Sequence, residues 1–348
     1  MTHRLALIPG DGVGPEVIEQ ALKVEEAVSR SHRIDFQLTE FDLGAKHYLA
    51  TGETLTDEDL GRLAQHDAIL LGAVGSPSVA PGILERGLLL RLRFDLDLYV
   101  NLRPVKLYPG VTSPILGLTP ERCNLEVVRE NTEGLYVGAG REAAMGTADE
   151  VAIQESVNTR RGVERVVRYA FGRAMLRRRR LTLCHKTNVL NYAGDLWMRT
   201  FGEVASEFPE VTTDYVHVDA ACLYLINSPE RFDVIVTDNM FGDILTDLGA
   251  AIQGGLGLAA SANLNPLREH PSMFEPVHGS APDIAGKDLA NPIGAILSFG
   301  LCLDHLGEEA AAEAVEAAAA SLLEERGAQG TTGMTTSQVG EEVAGRVA

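Results

Sequence analysis

Two aspartates four residues apart, Asp243 and Asp247 in the run Phe-Gly-Asp-Ile-Leu-Thr-Asp-Leu, have the spacing that places two carboxylates on one face of a helix. Oxygen ligands so placed suit a hard divalent cation, Mg²⁺ or Mn²⁺, that keeps positions open for water and substrate. A pair of this kind is commonly a solvated helix face. Here the flanking Ile244, Leu245 and Leu248 predict a largely buried helix, in which carboxylates without a cation are costly. Asp219 stands upstream, at the expected end of a strand.

A second set is cationic: Arg93 and Arg103, then Arg129 at another strand end. The planar guanidinium fork binds carboxylates through two bonds at once, so several converging on a small site suit a di- or tricarboxylate. Any one of them alone reads more readily as a surface residue. Tyr136 and Lys186 supply groups able to move protons. The turn His278-Gly279-Ser280-Ala281-Pro282-Asp283, followed by Asn291, can wrap an adenosine. A carboxylate accepting from both ribose hydroxyls favours NAD over NADP, whose 2′-phosphate it repels. By contrast Gly10-Asp11-Gly12-Val13-Gly14 is not a dinucleotide fingerprint. Its third glycine comes one residue early, and Pro15 stands where the pattern needs glycine.

These groups must be carried by elements. Short apolar runs at 5–8, 68–73, 125–128, 181–184, 215–218 and 234–236 alternate with helical patterns. They predict an α/β sheet covered on both faces. Each run is followed by polar or glycine residues, among them Asp11, Arg129, Lys186, Asp219 and Asp238. The carboxyl ends of strands are where open α/β sheets bind ligands, so these residues are expected to gather there. Val163, Val166, Val167, Ala170, Phe171 and Ala174 recur at helical spacing, with arginines 177–180 closing the pattern as cations at a helix C-terminus. The Ala- and Glu-rich stretch 308–326 predicts a late surface helix.

Composition narrows the classes further. The chain has 348 residues, 45% of them hydrophobic, which is enough for two modest domains or one large one. A formal net charge of −19 repels phosphate backbones and gives nucleic acid no electrostatic footprint. Cys123, Cys184, Cys222 and Cys302 stand far apart without a CxxC pair, as reduced intracellular thiols do. No stretch reaches the ~18 apolar residues of a membrane helix, and no leader is recognisable before the first strand, so the expectation is a cytoplasmic protein without a membrane partner.

Six stretches in order carry a resemblance to a known family: IPGDGVGPE (8–16), LLLRLRFDLDLYVNLRPVKLYPG (88–110), VVRENTEGLY (127–136), HKTNVL (185–190), RFDVIVTDNMFGDILTDL (231–248) and EPVHGSAPDIAGKDLANP (275–292). Together they resemble the β-decarboxylating dehydrogenases, which act on isopropylmalate, isocitrate, homoisocitrate, tartrate or D-malate. The resemblance spans essentially the whole chain. It implies a two-domain mixed-sheet α/β fold of the isocitrate/isopropylmalate dehydrogenase kind, not a standard Rossmann fold. Residues 1–99 and 254–348 would form a split cofactor-binding domain, and 100–253 the domain for substrate, metal and dimerisation.

By the same resemblance Arg93, Arg103 and Arg129 would hold substrate carboxylates, with Asp219 beside them. Asp219, Asp243 and Asp247 would be the metal ligands. Tyr136 and Lys186 would be the catalytic acid and base. His278, Gly279, Ala281, Asp283, Asn291 and Asn188 would bind NAD. A leucine-rich helix at Leu88, Leu89, Leu90 and Leu92 would meet an isopropyl group, with Leu89 and Leu90 as its contacts. The implied reaction is NAD-dependent oxidative decarboxylation of a 3-substituted malate, with 3-isopropylmalate, leucine biosynthesis and a homodimer with shared active sites as the expectation. RENTEGLY and segment 151–171 resemble the tartrate, isocitrate and homoisocitrate branches instead, so tartrate, D-malate and other 3-substituted malates stay open. A non-catalytic nucleotide-binding descendant would have lost a lysine, tyrosine or aspartate of the set, and none is missing.

Overall fold

In the computed structural model, residues 2–326 and 333–347 are described. Ten strands among them form one mixed sheet and two more form a separate ribbon. In chain order the strands are β1 (Thr2–Gly10), β2 (Asp35–Glu40), β3 (Ala68–Ala73), β4 (Val100–Lys106), β5 (Asn124–Glu130), β6 (Gly140–Ala143), β7 (Val151–Gln154), β8 (Arg180–His185), β9 (Thr212–His217), β10 (Val234–Thr237), β11 (Ala260–Leu264) and β12 (Ser272–Pro276). The large sheet has the order β2-β1-β3-β12-β11-β4-β5-β10-β8-β9, and β6 pairs with β7 alone. Among the described residues, no helix is long and apolar enough to cross a membrane.

The direction of pairing corrects one expectation. β2, β1, β3 and β12 run parallel to one another, as do β5, β10, β8 and β9, but β11 and β4 between them pair antiparallel on both sides. The two parallel sets therefore run in opposite directions. Their carboxyl ends lie at opposite edges of the sheet, so Arg129, Lys186, Asp219 and Asp238 gather at the carboxyl edge of one set while Asp11 lies at that of the other.

What brings groups together is a face. In paired strands, residues in register point the same way, and alternate residues share a face. Asn101 is in register with both Asn263 and Arg129, while Ser261 faces Glu275. Asn101, Arg103, Arg129, Ser261, Asn263 and Glu275 thus share one face. On the other, Leu102, Val128, Ala262 and Phe274 belong to a continuous apolar core running beneath both halves of the sheet. It is closed by the long helices α1 (Gly14–His32), α5 (Arg160–Leu176) and α6 (Asn191–Ala205), with α9 (Ile293–Leu306), α10 (Glu309–Arg326) and α11 (Thr336–Val347). The polar face has two separate apolar clusters. One centres on Ile8, Ile69, Leu71 and Met273, the other on Val127, Val216, Leu225 and Leu245. The polar row lies between them, where neither core covers the sheet.

Shorter helices complete that face: α2 (Ala45–Thr51), α3 (Asp57–Leu63), α4 (Arg91–Asp95), α7 (Val218–Asn227) and α8 (Asn239–Ile252). The 215–218 run is a strand only to His217, because Val218 opens α7. Arginines 177–180 are also more than dipole partners. α5 ends at Leu176, and Arg173 and Arg177 clasp Glu126 while Arg177 and Arg178 reach Asp233. Both carboxylates are buried, so the run closes a buried ion-pair network whose members each depend on a partner.

Candidate active site

The three arginines converge and are buried, correcting the surface reading of each. Arg103 on β4 donates to the Thr246 hydroxyl at 2.6 Å and lies 4.0 Å from Asp243 and 3.9 Å from Asp247. Arg129 at the end of β5 donates through Nε and Nη2 to the Asn239 side-chain oxygen, at 3.0 and 2.7 Å, and through Nη1 to Asp243. Arg93 on α4 donates to Glu275 at 3.0 Å. Burial and the nearby charges of Arg129 and Arg93 pull the Arg103 guanidinium down to about 10. The site is thus rich in positive charge held out of water. Two of its nitrogens, Nε of Arg93 and Nε of Arg103, are buried without a partner among the described residues. A buried donor left unpaired costs roughly 1–3 kcal/mol, more when charged, so this geometry favours an anionic guest.

Helix α8 lies over the arginines because its sequence lets it. Asp238 caps it, accepting from the Phe241 N–H at 2.8 Å. A Cβ on Gly242 would stand 2.5 Å from Cγ of Arg129, so glycine is needed for the helix to rest on that stem. Asp243 and Asp247 follow on the face turned to Arg103. The neighbours are less buried than expected: Leu245 is in the core, but Ile244 is 48% exposed. Burial pushes the Asp243 carboxyl up, but Arg129 and Arg103, with bonds from Tyr136 and Arg129, outweigh it and hold the group below its ordinary range. Asp247 is raised, by burial first and by Asp243 next.

Tyr136 enters from the turn after β5, its hydroxyl 2.9 Å from Asp243 and its ring beneath the Arg129 guanidinium at 5.2 Å. Burial holds its phenol above the usual value, so it remains protonated at neutral pH. For a divalent cation the donor chemistry fits: two ionisable carboxylates on one accessible helix face. Among the described residues, however, no group of three His, Cys, Asp or Glu side chains is close enough to hold a metal. Asp219 stands apart in this chain, in the first turn of α7, where it accepts from Lys186 at 2.7 Å. Lys186 follows β8, and Asn188 is exposed in the next turn.

The leucine segment is a π-helical turn at Glu85–Leu90 running into α4. π-turns are rare and often sit at functional sites. Leu88 and Leu92 are fully buried in the core cluster, which leaves Leu89 and Leu90 as the leucines of this segment able to meet a ligand. Leu89 and Leu90 are half-buried.

At the other edge, a cleft of about 600 Å³ is lined by Asp11, Gly12, Lys46, Gly75, Pro282 and Ala285 among others. The loop after β12 forms one wall, with Gly279, Ala281 and Asp283 on it and Asn291 at its end, where Asn291 accepts from the Ile293 N–H at 3.1 Å. His278 has its Nδ1 3.0 Å from the Gly279 carbonyl, and its Nε2 is buried without a partner among the described residues; burial lowers its pKa and favours the neutral ring. The first glycine cluster packs against this loop. Asp11 ties the cleft together, accepting from the N–H groups of Ala45 at 2.8 Å and Gly75 at 2.9 Å. Sequence reasoning missed Asn239, Thr246, Glu275 and Asn263, whose partners are distant in the chain. Only the location of Asn239 and Thr246 beside Asp243 and Asp247 offered a signal.

Over its whole length the chain is similar to known dehydrogenases. A 3-isopropylmalate dehydrogenase of Thermobifida fusca is 58% identical over 348 residues, covering 100% of this chain and 98% of that protein. One of Frankia casuarinae is 60% identical over 346 residues and covers 99% of both. The crystal structure of isocitrate dehydrogenase from Methylococcus capsulatus superposes with a TM-score of 0.88 at 36% identity, covering 99% of each chain. The family model for isocitrate/isopropylmalate dehydrogenase matches residues 4–343, and the chain belongs to that family of dehydrogenases.

Proposed function

We propose that this enzyme carries out the NAD-dependent oxidative decarboxylation of 3-isopropylmalate to 2-oxoisocaproate, in leucine biosynthesis in the cytoplasm, with Mg²⁺ or Mn²⁺. The observation that carries the reading is the buried trio Arg93, Arg103 and Arg129 with two unpartnered guanidinium nitrogens, facing the carboxylates of α8. The full-length likeness to relatives named 3-isopropylmalate dehydrogenase supports the substrate.

In the mechanism, the arginines bind and orient the two substrate carboxylates, and half-buried Leu89 and Leu90 border the alkyl group. Asp243 and Asp247, with Asp219 of a second subunit, would hold the cation. The cation supplies the charge that acidifies the C2 hydroxyl and favours loss of CO₂. The His278–Asp283 turn, with Asn188 and Asn291, would hold NAD, which would supply the hydride acceptor for C2, and Lys186, as the neutral amine, takes the C2 hydroxyl proton. The bond from C3 to its carboxylate then breaks, releasing CO₂. Tyr136, protonated and 2.9 Å from Asp243, returns a proton to that carbon. The division of the chain into 1–99 with 254–348, and 100–253, is supported by the strand order, since β11 and β4 form the seam between the two parallel sets.

The test is a kcat/KM panel with NAD over 3-isopropylmalate, D-malate and tartrate. The expected order places 3-isopropylmalate first. Leu90→Ser should lower its turnover more than that of D-malate, by up to about 1–3 kcal/mol of transition-state stabilisation. Equal losses, or a wild-type preference for tartrate, would remove 3-isopropylmalate as the substrate.

A further inference from the structure

Asn263 is a fully buried amide at the middle of the seam. Its side-chain oxygen accepts from Nδ2 of Asn101 at 3.1 Å and from Nδ2 of Asn131 at 3.0 Å. Its own Nδ2 donates to the Glu275 carboxylate at 2.8 Å and toward the Met273 carbonyl at 3.4 Å. Each partner leads somewhere. Glu275 accepts from Arg93 through the same oxygen that takes the Asn263 amide. Asn131 lies two residues after Arg129 and also donates to the Leu98 carbonyl at 2.9 Å, while Asn101 is in register with Arg129.

Four strands and both halves of the sheet therefore meet on one side chain. Asn263 and Glu275 lie on β11 and β12, Asn101 on β4, and Asn131 just beyond β5. A buried polar group on an otherwise apolar β-sheet costs free energy unless every bond is made, and no apolar residue of that volume would incur the cost. Asn263 makes its bonds, whereas the side-chain oxygens of Asn101 and Asn131 are buried without partners among the described residues. A cluster built only for stability would leave fewer orphans.

We propose that Asn263 is a positioning residue for the dicarboxylate, holding Arg93 through Glu275 and the Arg129 strand end through Asn131 and Asn101, so that guanidinium groups from opposite halves of the sheet keep one spacing. The inference rests on the proposed carboxylate role of these arginines. Removing the amide frees Glu275 to draw Arg93 out of line, while Asn263 itself does not line the cleft beside the His278–Asp283 turn.

The test is calorimetric binding of 3-isopropylmalate, with D-malate and tartrate as alternates, to full-length protein with Mg²⁺. Asn263→Ser should weaken dicarboxylate binding by about tenfold, leave NAD binding within about twofold, and weaken dicarboxylate binding by clearly less than tenfold in an Arg93→Ala background, because residues acting through one another are not additive. Glu275→Gln, which keeps size and fold, should show the same loss and the same non-additivity if Asn263→Ser does not fold. Wild-type affinity in both variants, or an equal loss with and without Arg93, overturns the inference. A wild-type protein that binds none of the three acids overturns the functional reading, and the inference with it.

Discussion

Glu130 shows how one side chain can connect the site to the stability of the whole protein. It is buried at the end of β5, beside Arg129, and its carboxylate accepts from the N–H and hydroxyl of Thr132 and the N–H of Glu133, each at 2.8 Å. These bonds shape the turn that leads to Tyr136. Burial nonetheless outweighs them and lifts the carboxyl from 4.5 to about 7. A raised pKa means the fold favours the protonated form. The group's contribution is fully present below its unfolded pKa near 4.5 and is lost as pH rises through about 7. Glu130→Gln mimics the protonated acid at every pH. In urea titrations the stability difference, wild type minus variant, should therefore become more negative from pH 4.5 to about 8, by up to roughly 3 kcal/mol. Parallel curves for the two proteins across that range would show that the turn's hydrogen bonds, not burial, govern the acid.

At the scale of elements, the cleft proposed for NAD depends on two loops from distant parts of the chain fitting back to back. Gly12 has φ +59°, and a Cβ there would lie 1.9 Å from the Ser280 carbonyl oxygen, which also accepts from the Val13 N–H at 2.8 Å. Gly279, on the facing loop, has open space around its Cβ position. Gly12→Ala should therefore push the loops apart and weaken NAD binding about tenfold or more, while Gly61→Ala on α3, where an added Cβ meets nothing within 4 Å, stays close to wild type. A fluorescence titration with NADH separates the cases; a Gly12→Ala protein that binds as tightly as wild type would contradict the fit. Neither contact was legible in the sequence, although the glycine-rich turn was. Local period made β1, β3, β5, β8 and β10 readable, because each is an apolar run ending in polar residues. β4 and β11 escaped because Asn101, Arg103, Ser261 and Asn263 break the apolar pattern at the seam where the site lies. Four leucines in near succession have no period, so their split between core and half-buried positions is decided by the π-turn alone.

The whole molecule presents two incomplete constellations. Tyr136, Asp243 and Asp247 sit with the arginines, while Lys186 is hydrogen-bonded to Asp219 in a separate pair. Around them α6, α7 and α8 leave Tyr192, Leu223, Ile226, Met240 and Ile244 exposed, a set of apolar groups that a second subunit would cover. In a two-fold dimer each subunit would lend Lys186 and Asp219 to its partner's site and complete two equivalent sites. Lys186→Met and Tyr136→Phe proteins should each be inactive alone. When they are denatured together and refolded as a mixture, half the dimers are hybrids, and each hybrid has one site carrying both defects and one carrying neither. Activity should then return to about a quarter of wild type. The net charge of −19 per chain opposes association at low ionic strength, so refolding belongs at about 0.15 M salt, where the Debye length is roughly 8 Å. If Lys186 and Tyr136 served the same subunit, every site in every dimer would carry a defect. A mixture shown by mass spectrometry to contain hybrids, yet without recovered activity, would place both residues in one chain's site and rule out the exchange.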